Sequence, residues 1–202
     1  MTTARDLLIV ALDATPGGPA EPGDLSLSLA GAELIDLVDA RAITLDGDRI
    51  VAADPPVTDD RLVQDAASSL VRQMPYESVE DWLWRRGRGL SSAYLAAFEE
   101  EGQFRRQRRR WLPSWTGEAV LVDSPARRRA ADRWAAREPV LATLAATAGI
   151  GDTPAGELPD EIGEVAATVL AAVDDAVTEL TAVRQRRDIE KAAFDNIWRG
   201  PV

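Results

Sequence analysis

Twice in this chain a helical stripe runs into a short β-prone segment and then into an Asp–Pro start for another helix. The first copy is the clearer. Residues 25–41 place Leu27, Ala30, Leu34, Leu37 and Val38 on one helical face. Residues 43–51 follow, with Asp46-Gly47 between two β-prone runs, a hairpin signal because a primed turn needs φ > 0 at its centre. Asp54-Pro55-Pro56 closes the unit. The second copy has a helix over residues 90–101, a stop at Gly102, a hairpin over residues 103–122, and then Asp123-Ser124-Pro125. This is the layout of a winged helix, present twice. The expected fold is mainly α: a single compact helical domain over residues 1–202 with two small β-hairpins. Winged-helix-like units fill the first two thirds, and a helical bundle fills the last third.

The remaining elements read as helices. Thr2 or Thr3 caps one that runs to Asp13, with Leu7, Leu8, Ala11 and Leu12 on one face. Residues 59–74 bury Leu62, Val63, Ala66 and Leu70. Ser78-Val79-Glu80-Asp81 opens a short helix in the sense of a capping box. Ser124-Pro125 starts a helix to Arg137, and residues 139–148 make another. The last two span residues 160–187, with a stripe rich in alanine and valine, and residues 188–198. Small side chains dominate that stripe, so it should pack closely on its neighbours.

The 202 residues include no cysteine and no histidine. Disulfides and thiol chemistry are excluded, and the commonest general base and zinc ligand are missing. Neither a P-loop nor a Gly-x-Gly-x-x-Gly fingerprint occurs. Asp174-Asp175 and Glu99-Glu100-Glu101 read as solvated acids, and Lys191 is the only lysine. The expectation is a protein that is not an enzyme and holds no metal and no cofactor. No stretch approaches the ~20 apolar residues of a transmembrane helix, and the N-terminus lacks a clear cleavage site. The expected place is cytoplasmic, at the inner face of a membrane if it meets one.

Charge carries the functional signal. The chain is acidic, with a net charge of −11. Residues 82–137 reverse that sign, with 13 arginines against 6 acids and five of the six tryptophans. Arg105, Arg106, Arg108, Arg109 and Arg110 run into Trp111, Leu112 and Trp115 with no acid between them. Arginine beside tryptophan suits a boundary between water and an anionic layer, either lipid headgroups or a nucleic acid backbone. Each such arginine near an anionic leaflet is worth about 1 kcal/mol. Headgroup contacts are assigned to Arg105, Arg106, Arg108, Arg109 and Arg110, and membrane insertion to Trp111, Leu112 and Trp115. Trp82 and Trp84 sit two apart on a helix and point in different directions. Both fit a core; alternatively one is core and the other lines a pocket beside Arg85, Arg86 and Arg88, which join the headgroup set. Arg127-Arg128-Arg129 reads as the exposed face of a helix.

The order of these segments resembles the Golgi phosphoprotein 3 family, including its bacterial members. Residues 7–12 are similar to the family's opening Leu-rich helix, and residues 32–43 to its second helix before the Asp-Gly hairpin. Glu77-Ser78-Val79-Glu80-Asp81-Trp82-Leu83 resembles its Val-x-x-Trp segment, and residues 98–112 its arginine-rich hairpin. The resemblance implies a mostly helical domain with a protruding hairpin that serves membrane insertion and self-association. It implies an adaptor that binds phosphatidylinositol 4-phosphate or a similar phospholipid on an anionic membrane surface and meets client membrane proteins. Homo-oligomers would form through the hairpin. The chain departs from the family at the headgroup pocket. Ala30 stands where an arginine is expected, residues 15–29 hold no tryptophan, and of the family's Arg-x-x-Arg pair Arg88 aligns with Ser91 at the second position.

The alternative reading is a winged-helix nucleic-acid-binding protein with a basic wing. The helices in the recognition position argue against it. Residues 25–41 hold one arginine, and residues 90–101 hold none and end in three glutamates, a face that repels phosphate. No nucleic acid is expected.

Overall fold

The computed structural model of the chain describes residues 2–13, 20–56, 58, 60–107, 118–151 and 162–198. Among them run eight helices and two antiparallel hairpins, in the order α1 (Thr3–Asp13), α2 (Pro22–Asp39), β1 (Ile43–Asp46), β2 (Arg49–Ala52), α3 (Arg61–Ser68), α4 (Val79–Arg86), α5 (Leu90–Glu100), β3 (Phe104–Gln107), β4 (Glu118–Leu121), α6 (Pro125–Ala135), α7 (Pro139–Thr147) and α8 (Glu164–Trp198). The mainly helical fold expected from the sequence is the fold observed, and each hairpin follows a helix as the repeated pattern requires.

The axis of the molecule is α2. Its buried residues run without a break from Leu25 to Ile35, and α1, α4, α5, α7 and α8 all pack on it. A helix apolar on one stripe faces one layer, whereas one apolar all round is enclosed. The Leu-Ser-Leu-Ser-Leu run of α2 is of the second kind, because its serines are as buried as its leucines. Gly31 lets α8 come close: a Cβ there would lie 2.3 Å from Val173 Cγ2. Val169, Leu170, Val173 and Ala176 of α8 are buried with it, so the expected small-residue packing is present. One cluster of buried side chains extends from Ala4 in α1 to Ala176 in α8 and takes in Ile43, Ile50 and Leu121 from the hairpins.

Several boundaries differ from the sequence reading, for local reasons. α2 starts at Pro22, not Leu25; proline at N1 loses no hydrogen bond, so Pro22-Gly23 begins the helix instead of prolonging the loop. α3 stops at Ser68, short of Met74. The Ser69 hydroxyl donates to the Ala66 carbonyl, and Pro75 disfavours a helical Met74. The two terminal helices are one: α8 begins after Gly163 and passes through Asp188 to Trp198. Strong helix formers with no glycine or proline leave nothing to break it there. In the first hairpin Asp46 pairs with Arg49, so the turn is Gly47-Asp48, with Gly47 at φ +60°. Glycine at the first central position is what a type II′ turn requires. In the second, Phe104 pairs with Leu121 and Gln107 with Glu118.

Candidate functional site

α4 positions the residues of interest. Ser78 caps it by accepting from the Asp81 N–H at 3.0 Å, and its hydroxyl donates to the Asp81 carboxylate at 2.7 Å. This reciprocal arrangement fixes the start of the helix and the direction of each side chain after it. Trp82 then points into the core, fully buried, and its indole N–H donates to the Ala30 carbonyl at 3.1 Å. Trp84 points the other way and is half-buried at a surface cleft.

The three arginines that follow have different fates. Arg85 lies 5.2 Å over the Trp82 ring and forms a two-pronged pair with Glu77 at 2.6 and 2.7 Å. Arg86 reaches inward and grips Glu33 of α2 at 2.7 and 2.8 Å. The Glu33 side chain is 1% exposed and also accepts from the Tyr94 hydroxyl at 3.1 Å. Burial raises the Glu33 carboxyl above its usual range, and Arg86 opposes that rise. The same burial, with Glu33 beside it, holds the Tyr94 phenol protonated well beyond its ordinary range. Arg85 and Arg86, both assigned to headgroups from the sequence, each pair with a carboxylate, Arg85 at the surface and Arg86 partly buried. Arg88 does not: it is exposed and forms no ion pair with a described residue.

Arg88 sits between two glycines that the backbone demands. A Cβ on Gly87 would lie 2.6 Å from the Leu83 carbonyl, and Gly89 has φ +69°, a left-handed conformation costly to other residues. This tight turn joins α4 to α5 and places Arg88 in the lining of a cleft of about 280 Å³. Pro22, Ser26, Trp84, Ser91 and Leu180 line the cleft with it. At its floor Ser26 and Ser91 share a hydrogen bond of 2.9 Å, and the Ser91 N–H donates to the Ser26 oxygen at 3.1 Å. The starts of α2 and α5 are thereby tied together. The residues at the N-cap positions, Glu21 and Gly89, make no side-chain cap bond of their own. Two helix N-termini, each equivalent to roughly half a positive charge, and one open arginine converge on the same hollow. That is an arrangement for holding an anion.

A second cleft, of about 270 Å³, lies at the root of the β3–β4 hairpin and is lined by Arg5, Asp60, Phe98, Glu101 and Gln103. Arg129 also lines it, and Arg5 is matched there: it pairs with Asp60 at 2.6 Å and Glu101 at 2.7 Å and lies over the Phe98 ring. Arg105 and Arg106 fall on β3. Arg108, Arg109, Arg110, Trp111, Leu112 and Trp115, on which the hairpin reading rests, lie outside the described residues. Among the described residues no helix is long and apolar enough to cross a membrane, and no group of three metal-ligating side chains occurs.

Sequence reasoning placed Arg88 and one of the two tryptophans at a shared pocket but missed the walls from α2 and α8. Pro22 and Ser26 come from α2 and Leu180 from α8, far away in the chain. The one local sign was the Gly-Arg-Gly triplet itself.

The family model described as Golgi phosphoprotein 3 (GPP34) matches residues 4–190, and the chain belongs to that family. No curated protein matches it.

Proposed function

We propose that the protein is a peripheral membrane adaptor that binds anionic phospholipid headgroups without acting on them chemically. The single observation that carries this reading is Arg88. It is the arginine of its cluster left without an ion pair by the described residues, and it lines a cleft formed at the starts of α2 and α5. Family membership supports the adaptor role. Phosphatidylinositol 4-phosphate or a phospholipid of similar charge is the proposed ligand. Ala30 is fully buried, so no second arginine of the pocket comes from that position. Arg88 and the Ser92 hydroxyl at the mouth are left to make the contacts. The basic hairpin, with Trp111, Leu112 and Trp115, is proposed as an apolar anchor at the inner face of the membrane. Client membrane proteins and a second copy of the chain, met through the hairpin, are the proposed protein partners.

The nucleic-acid alternative lacks support from the helices it needs. α2, in the recognition position, is enclosed by other helices, and α5 ends in Glu99, Glu100 and Glu101. A recognition helix must offer a face to the major groove.

Co-sedimentation with vesicles tests the proposal. Binding to vesicles containing phosphatidylglycerol or phosphatidylinositol 4-phosphate should exceed binding to neutral phosphatidylcholine. It should weaken as salt rises, because charge is screened over about 8 Å at physiological ionic strength. Equal binding to neutral vesicles, or binding to duplex DNA alone, would reject it.

A further inference from the structure

The wall that α8 gives to the Arg88 cleft carries a second cation at its edge. Leu180 lines the cleft together with Pro22 and Gly23 of α2. Arg184 lies one helical turn after Leu180, so the two side chains share a side of α8. Both meet Gly23. A Cβ there would lie 2.8 Å from Leu180 Cδ2 and 2.5 Å from Arg184 Nη2. A side chain at position 23 would have to displace the guanidinium. With glycine, the guanidinium reaches the edge of the cleft where α2 begins.

Asp24 fixes how that guanidinium is held. Nη1 lies 2.8 Å from Asp24 Oδ1 and donates to Oδ2 at 3.0 Å. A guanidinium carries five donors in a rigid fork, so one corner can hold a carboxylate while another meets a second anion. Here Nη1 is on Asp24 and Nη2 is beside Gly23. The Arg184 side chain is 31% exposed, so an anion in solvent can reach it. Glu21 also acts on Arg184, but it is exposed, where water and salt screen it. The Ser26 and Ser91 hydroxyls at the floor are already bonded to each other and to the Pro22 carbonyl. An anion at the Gly23 edge therefore has arginine to bind, from Arg88 in the α4–α5 turn and from Arg184 on α8.

We propose that Arg184 is the second basic residue of the headgroup site, oriented by Asp24 so that one phosphate is shared between Arg88 and Arg184. The inference rests on the reading of the Arg88 cleft as a headgroup site, and it adds Arg184 to Arg88 and Ser92 as a contact. Two arginines match a phosphomonoester, which carries nearly two charges near neutral pH. Arg184 then sets the preference for such a headgroup over a phosphodiester with a single charge.

Two measurements on the full chain test this. Phenylglyoxal modifies accessible arginines, and peptide mass spectrometry reads each site in the wild-type protein. Soluble inositol 1,4-bisphosphate, a headgroup without a leaflet, should protect Arg88 and Arg184 and leave Arg187, exposed on the next turn of α8, reactive. Protection of Arg88 alone, of neither, or of Arg187 equally overturns the role of Arg184. In co-sedimentation with phosphatidylinositol 4-phosphate vesicles, Arg184→Gln should bind about fivefold more weakly. It should lose less on phosphatidylglycerol vesicles. Asp24→Asn/Arg184→Gln should stay as weak as Arg184→Gln. Recovery in the double variant would mean that the stranded Asp24 carboxylate repels the vesicle, and it overturns the contact. Wild-type binding by Arg184→Gln does the same. If Arg88→Ala still weakens binding in either case, the headgroup reading stands and only Arg184 falls. A wild-type chain that binds none of the vesicles removes both.

Discussion

Arg86 and Arg88 are two residues apart, yet the structure gives them opposite roles, and substituting each by alanine separates fold from site. Arg86→Ala removes both hydrogen bonds to a carboxylate that is 1% exposed and leaves it only Tyr94. Stranding one member of a buried pair costs about 3–5 kcal/mol. The Arg86 side chain is 19% exposed, so water can enter where it was, and the lower end, about 3 kcal/mol, applies. For a domain of this size each kcal/mol moves Tm by about 2–4 °C, giving a fall of roughly 6–12 °C. Arg88→Ala removes an exposed side chain that forms no ion pair with a described residue and should stay within about 0.5 kcal/mol, or some 2 °C. Thermal unfolding followed by circular dichroism reads both. The pH dependence adds a signature. Without Arg86 the Glu33 carboxyl, already raised by burial, is raised further above its unfolded value. Its protonated form is then favoured by folding, so the deficit of Arg86→Ala should shrink as pH falls and grow as pH rises through the folded value. An Arg86→Ala protein that melts with the wild type, or an Arg88→Ala protein that melts far below it, would refute this division of roles.

Arg88→Ala should weaken binding to anionic vesicles by about 1 kcal/mol, roughly fivefold, while Arg85→Ala, which removes a residue already paired with Glu77, should do less in the same co-sedimentation assay. Gly31→Ala should destabilise by about 1–3 kcal/mol in urea unfolding, since the new methyl group meets Val173 of α8 at 2.3 Å. Asp36 accepts from the Thr3 and Ala4 N–H groups at the start of α1, and burial raises its pKa to about 6. The folded state therefore holds this proton more tightly than the unfolded state, and its contribution to stability is lost as pH rises through about 6. Asp36→Asn should flatten the Tm profile between about pH 4 and 6.

The elements of the fold were written locally, and so they could be read. Ser78 with Asp81, Ser124 with Pro125, and Gly47 each state a cap or a turn within four residues. Even the small stripe of α8 could be picked out, because alanine and valine recur at helical spacing. What could not be read is pairing at a distance. Nothing near Arg86 announces that Glu33 is its partner, and Arg85, Arg86 and Arg88 look alike until α2 is laid against α4. Pro22-Gly23 reads as loop punctuation because both residues usually are; only the docking of α8 at Gly23 makes them the wall of a cleft. Trp82 and Trp84 were separable by direction alone, but which faced inward depended on the Ala30 carbonyl.

The close fit of α8 on Gly31 also bears on synthesis. Gly31 and Val173 touch, yet 142 residues (173 minus 31) separate them. A ribosome adding about 5–20 residues per second exposes the groove of α2 for roughly 7–28 s before its filler exists. In that interval Leu29, Leu34 and Leu37 have only part of their eventual cover. The nascent chain is then most open to misassociation and to capture by chaperones that recognise apolar helices, so truncations that remove α8 should yield insoluble protein and not a smaller folded one.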